Sequence, residues 1–323
     1  MKAVASYKDD FLNFLFENIS VKEPKKLYEP IHYILQLGGK RLRPVLTLLI
    51  CDIYNGNVTK AMNAAAAIEV FHNFTLIHDD IMDSATIRRG KTTVHKKWNV
   101  NTGILSGDAM MIMAYQFLEK YEPQLYKKLN SLFSKTALEV CEGQQLDIDF
   151  ETKNEVAIAE YVKMITYKTS VLVAAAMKMG AIIADIPDEE AENIYKFGLN
   201  LGIAFQLQDD YLDTFGDIAT FGKEIGGDIN ENKKTFLFLK ALEVCNSNDK
   251  KELLKWYSSK SASELKVNAV TKIFSKNKIL ELTKTEIKQY TNVAIETLSD
   301  LSISEGKKEI LKKFGLNLMN RAL

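Results

Sequence analysis

Apolar residues return every three or four positions through most of this chain. The stretches AAAAIEVFHNFTLIHDD (64–80) and LFSKTALEVCEGQQLDI (132–148) show it best, and that period marks a helix with an apolar face. β-branched alternation is rare, and only five prolines interrupt the pattern. It predicts an all-α protein of many long helices. No segment rich in Pro, Gly or Ser divides the chain, so residues 1–323 read as a single domain. One stretch stands apart. Residues 214–235, TFGDIATFGKEIGGDINENKKT, hold four of the sixteen glycines together with Lys223, Lys233 and Lys234. A loop of that length and glycine content suits either a connector or a mobile lid.

Twice the apolar pattern is broken by acid. LIHDDIMD (76–83) carries Asp79, Asp80 and Asp83, and QLQDDYLD (206–213) carries Asp209, Asp210 and Asp213 at the same spacing. On a helix the first and last aspartate of each cluster share a face, where like charges repel unless a cation sits between them. A solvated surface face is the bland alternative, which the apolar flanks and the recurrence disfavour. KDDFLN (8–13) has the paired aspartates but asparagine in the fifth position, and is read as capping the first helix. Carboxylates so placed suit a hard divalent cation, and magnesium is typically held by one or two carboxylates plus substrate phosphates. Two such clusters on facing helices would share a polyphosphate. Calcium storage is the rival reading, but neither cluster has the glycine-bearing loop of an EF-hand.

Charge and cysteine usage narrow the classes. Forty-two basic residues balance forty-two acidic ones, which argues against a nucleic-acid binder. Cys51, Cys141 and Cys245 lie far apart with no CxxC, as expected of buried free thiols in a reducing, cytoplasmic compartment. The start, MKAVASYKDDFLNFLFE, has acids by position 9 and reads as no signal peptide. The most apolar stretch, 171–184, is broken by Lys178 and too short to span a membrane.

Arginine is the more telling base. The chain has five, and four of them fall in GGKRLRP (38–44: Arg41, Arg43) and RRGK (88–91: Arg88, Arg89). A lysine-rich sequence keeps arginine where a planar, bidentate donor matters, as for phosphate oxygens. His72, seven positions before Asp79, lies on the same helical face. Alone it reads as a core histidine; beside the arginines it becomes a candidate third phosphate donor.

Together these stretches resemble the trans-isoprenyl diphosphate synthases, the polyprenyl synthetases. GGKRLRP, LIHDDIMDSATIRRG, GQQLD (143–147), YKTS (167–170), FQLQDDYLD and GKEIGGDINENK (222–233) stand in that family's order. The resemblance implies long antiparallel helices around a deep central cavity, a homodimer, and condensation of an allylic diphosphate with isopentenyl diphosphate. Carried over residue by residue, Asp79 and Asp83 look like ligands of two magnesium ions on the allylic diphosphate and Asp209 of a third, with Asp80, Asp210 and Asp213 in the same clusters. Arg88, Lys168 and Lys223 look like donors to the allylic diphosphate, and Lys40, Arg43, His72 and Arg89 like the isopentenyl diphosphate site. Thr169 and Gln206 look like neighbours of the reacting carbons, with Gln144 and Asp147 lining the same cavity. Lys233 belongs to the substrate-binding set, although the stretch before it carries one residue, Glu224, beyond the family's commoner GKIGTD form.

Three alternatives stand beside this reading. A terpene cyclase shares the first cluster, but its second metal motif mixes Asn, Ser or Thr, and Glu. A non-catalytic subunit of a heteromeric synthase usually lacks one cluster. A longer-chain synthase differs at the floor of the chain pocket, which the family places just before the first cluster. Here that stretch is FHNFT, with Phe71 and Phe74. Large rings there imply a short product, farnesyl or geranylgeranyl diphosphate, whereas on the residues alone they read as core phenylalanines.

Overall fold

The computed structural model describes residues 4–216, 225–259 and 262–319. The expected helical architecture is found: apart from one two-residue hairpin, every regular element among the described residues is helical. The chain divides into two compact units, Met1–Lys135 with Ala175–Glu192, and Thr136–Ala174 with Asn193–Leu323.

The first unit contains α1 (Val4–Asn18), α2 (Lys25–Gln36), α3 (Leu42–Ile53), α4 (Val58–Met82), β1 (Ile87–Arg88), β2 (Lys91–Thr92), α5 (Val94–Lys97), α6 (Val100–Leu118) and the start of α7 (Pro123–Thr152). In α1, Tyr7, Phe11 and Leu15 recur every fourth residue and are fully buried, so one face packs inward while the other meets water. Asp9 and Asp10 lie inside this helix, Asp9 exposed and Asp10 half-buried. The capping role expected of them is therefore corrected: the helix already runs from Val4, five residues before Asp9. Elsewhere the caps are asparagines and one serine, Ser263, which accepts from the Lys266 N–H (3.2 Å). Asn57 accepts from the Lys60 N–H (3.1 Å) at the head of α4, and Asn99 from the Thr102 N–H (2.8 Å) at the head of α6.

Helix α4 is buried on several sides, including Ala64–Ala67, because small side chains let neighbouring helices approach. This explains how a helix can be mostly apolar and still end in three aspartates: its body is core and its C-terminus is the site. Residues 175–183 of α9 (Val171–Ile183) are similarly enclosed. A β-carbon at Gly180 would stand 2.3 Å from the Thr47 carbonyl oxygen, and Lys178 pairs with Glu192 at 2.5 Å. No helix among the described residues is long and apolar enough to cross a membrane.

The second unit contains the end of α7, α8 (Ile158–Ile165), a π-helical turn (Thr166–Ser170), most of α10 (Asp188–Phe215), the short helix Gly227–Asn230, and five further helices: Phe236–Val244, Ser247–Tyr257, Glu264–Lys276, Ile279–Glu296 and Glu305–Met319. Its core gathers Tyr161, Ile203, Leu207, Phe236 and Phe274. Of the 214–235 stretch, residues 214–216 and 225–235 are described, and the rest of the expected lid lies outside the described residues. Its segment around 230 is tied down by the buried Lys266, whose ammonium donates to the Asn232 side chain (2.7 Å) and to the Ser259 and Asn230 carbonyls (3.2 and 3.3 Å). All three cysteines are free. Cys51 is buried as expected, but Cys141 is exposed, lying on the outer side of α7.

Candidate active site

In the first unit, the helical turn that ends α4 continues to Asp83, whose N–H donates to the Asp79 carbonyl (2.8 Å). Asp79 and Asp83 are therefore one turn apart, as the spacing predicts. The chain then folds back through the β1–β2 hairpin, where Arg88 stands opposite Lys91. The two turn residues, Arg89 and Gly90, both have positive φ (51° and 72°), which matches the right-handed twist of paired strands. The hairpin returns Arg88 to the acidic cluster. Its Nε donates to both Asp80 carboxylate oxygens (2.8 and 2.9 Å) and its Nη2 to Asp79 (3.3 Å). Burial raises the Asp80 carboxyl above its usual range, opposed by Arg88. Asp80 therefore faces inward and orients Arg88, while Asp83 is exposed.

Arg41, Arg43 and Arg89 lie around His72. Gly38, Gly39 and Arg41 all have positive φ (79°, 112° and 50°), so this loop curls sharply. Arg89 donates to the Gly38 carbonyl. A β-carbon at position 39 would stand 2.8 Å from the Arg89 guanidinium carbon; only glycine lets the two meet. Arg43 approaches the His72 Nε2 at 3.2 Å. Burial, and then Arg43, Arg89, Arg88 and Arg41 in turn, hold the His72 imidazole well below its usual value, so it is neutral and accepts from Arg43. Lys40, next to this group in sequence, is exposed.

Arg41 departs from the phosphate-donor pattern inferred from composition. It is buried, pairs with Glu69 at 2.5 Å, and donates to the Leu35 carbonyl. Its charge neutralises a buried glutamate that also accepts from Asn73 (3.1 Å). Deeper in the same unit, Phe71 and Phe74 are buried with ring centroids 5.4 Å apart. Phe71 also meets Phe133 edge-on (5.3 Å), and Phe74 meets His78 (4.8 Å).

In the second unit, Lys168 and Thr169 sit on the π-helical turn, a widened helical turn common at functional sites. Lys168 pairs with Asp147 at 2.6 Å. Gly143 and Gly202 let α7 and α10 close on this turn: a β-carbon at 143 would stand 2.1 Å from the Lys168 nitrogen, and one at 202 would stand 2.8 Å from the Ser170 Cα. Gln144, beside Gly143, is half-buried. Thr169 donates to the Gln206 carbonyl oxygen (3.2 Å) and Gln206 to Asp210 (3.1 Å), which also accepts from the Tyr161 hydroxyl. Burial, then Asp228, push the Asp210 carboxyl well above its usual range.

Asp213 accepts from the Asp228 N–H (3.0 Å). Lys233 pairs with Glu231 (2.9 Å) and lies 3.7 Å from Asp228. Burial lowers its affinity for the proton, but Asp228 and Glu231 outweigh that and leave it firmly charged. Lys234 instead donates to the Phe150 and Lys153 carbonyls. Lys223 lies outside the described residues. Asp228 and Tyr161 were not singled out from the sequence. Asp228 lies within GKEIGGDINENK (222–233), and that motif is its sequence signal; Tyr161 sits on an apolar helix face with no local signal.

Among the described residues, no three His, Cys, Asp or Glu side chains form a ready cage for a metal. The donors nearest to hand are all carboxylates, the set a hard cation takes.

A sequence profile of the polyprenyl synthetases matches residues 24–274. The chain belongs to the polyprenyl synthetase family. Among family members, it is 37% identical over 308 residues to the geranylgeranyl diphosphate synthase of Sulfolobus acidocaldarius, covering 92% of this chain and 93% of that one. It is 37% identical over 257 residues to the geranylfarnesyl diphosphate synthase of Natronomonas pharaonis, covering 74% and 75%. A crystal structure of a geranylgeranyl pyrophosphate synthase superposes with a TM-score of 0.96 at 52% identity, covering 99% of both chains. The polyprenyl synthetase, or isoprenoid synthase, fold expected from the motifs is thus the fold found.

Proposed function

We propose that this protein is a magnesium-dependent prenyltransferase, working as one catalytic domain. It condenses an allylic diphosphate with isopentenyl diphosphate, head to tail and trans, to a short-chain product, geranylgeranyl or farnesyl diphosphate. The observation that carries this reading is the arginine group around neutral His72. It offers a cationic diphosphate site in addition to the two carboxylate clusters, and a reaction between two diphosphates needs both kinds.

Lys40, Arg43, His72 and Arg89 would take isopentenyl diphosphate; Arg88, Lys168 and Lys223 would take the allylic diphosphate, with Lys233 alongside. Three magnesium ions would be held by Asp79, Asp83 and Asp209, supported by Asp80, Asp210 and Asp213, and would supply charge to stabilise the departing diphosphate. Arg88 and Lys168 would each supply a cationic donor to the departing diphosphate as the allylic C1–O bond breaks. The isopentenyl double bond then attacks C1, forming the new C–C bond, and the released diphosphate takes the proton that is lost. Thr169 and Gln206 flank the carbons, while apolar walls, with Gln144 and Asp147 at their polar edge, exclude the water that would quench the cation. No side chain acts as nucleophile.

The enzyme would work as a cytoplasmic homodimer. The exposed Val100, Ile104, Leu105 and Ile112 of α6 give a second copy an apolar face to cover. Supplying an allylic diphosphate with and without isopentenyl diphosphate tests the reading: diphosphate release and product should require both. Release and a hydrocarbon product from the allylic substrate alone would instead identify a cyclase.

A further inference from the structure

Tyr161 belongs to the same buried apolar cluster as Ile203 and Leu207, yet its hydroxyl is spent on a carboxylate. Asp210 is buried too, and such a group must find donors. It has two: the Tyr161 hydroxyl on Oδ2, and the Gln206 Nε2 on Oδ1 at 3.1 Å. Both Asp210 oxygens accept, one from the Tyr161 hydroxyl and the other from the Gln206 amide, so the nitrogen end of Gln206 faces Asp210. The Gln206 Oε1 is thereby turned to Thr169, whose hydroxyl donates to it at 3.2 Å.

We propose that Tyr161 is a positioning residue for prenyl transfer, holding Asp210 so that Gln206 keeps its oxygen toward Thr169. The consequence is a matter of polarity. With Gln206 in this sense, the Thr169 proton is committed to Gln206 and its lone pairs face outward. With Gln206 reversed, the amide would donate to Thr169, and the hydroxyl proton would turn outward instead. On the functional reading above, on which this inference rests, Thr169 stands beside carbon that becomes positive. Lone pairs stabilise that charge and a proton opposes it.

Tyr161→Phe keeps the ring and removes only the hydroxyl. It should lower kcat about tenfold while leaving KM for both diphosphates within about twofold, as for loss of orientation without loss of binding. In a Gln206→Ala background the same change should lower kcat by less than about twofold, because the relay is already cut. Multiplicative losses in the double variant, an unchanged kcat in Tyr161→Phe, or a fall in melting temperature with unchanged kcat would each overturn the proposal. A crystal structure of Tyr161→Phe reads the relay independently of turnover. Gln206 should have left its Asp210 and Thr169 contacts, and finding both retained would overturn the relay even if the wild-type protein transferred no prenyl group.

Discussion

No side chain fits at Gly143, because a β-carbon there would stand 2.1 Å from the backbone nitrogen of Lys168. Helix α7 and the π-helical turn touch through their backbones at this point, and the Lys168–Asp147 pair forms beside it. Gly143→Ala should therefore displace the turn, costing about 1–3 kcal/mol of stability as overpacking and lowering turnover on the order of a hundredfold. Calorimetry and steady-state rates on the variant measure both, and wild-type values for both would mean the contact is slack.

The buried Arg41–Glu69 pair gives a stability prediction with no activity in it. Arg41→Met strands the Glu69 carboxylate and should cost about 3–5 kcal/mol, whereas replacing both partners by apolar residues should recover much of that loss. Urea denaturation of the single and double variants checks it. Equal losses in the two would show that Arg41 contributes through its shape alone.

His72 should make stability pH-dependent. Burial and the surrounding arginines depress its folded-state value, so below the ordinary value of about 6.5 the unfolded chain binds a proton that the folded protein refuses. The stability is fully present above that value and falls as pH drops through it. Unfolding free energies measured between pH 8 and pH 5 should decline, and His72→Gln should flatten the decline. An equally steep decline in the variant would place the titration elsewhere.

The clusters at 79–83 and 209–213 were legible because charge inside an apolar pattern needs a reason, and RRGK because arginine is scarce here. Arg41 was not, since an arginine aimed at a ligand and one neutralising a glutamate 28 residues away look alike in sequence. Tyr161 sits on the apolar face of α8, and its partner is 49 residues on. The π-helical turn shifts the helical period by a single residue, and the β1–β2 hairpin has only two residues per strand, too few for alternation to show. Gly143 reads as a weak spot in a helix until the Lys168 backbone is seen beside it.

Phe74 separates two readings of one ring. As the pocket floor, its loss opens room for a longer chain, and each added methylene buried contributes roughly 0.8 kcal/mol. Phe74→Ala should then lengthen the main product by one isoprene unit or more, and Phe71→Ala should extend it further in combination. As core alone, packed between Phe71 and His78, its removal costs about 3–5 kcal/mol of stability and leaves the product unchanged. Product mass and melting temperature on the same variant decide between them.

The central claim is magnesium-dependent joining of two diphosphates into a short chain. The most direct measurement is mass spectrometry of the product made from isotope-labelled isopentenyl diphosphate with dimethylallyl, geranyl or farnesyl diphosphate, with magnesium and with a chelator. The account predicts labelled geranylgeranyl or farnesyl diphosphate with magnesium and none with chelator. Products carrying no label, or full conversion in chelator, would contradict it.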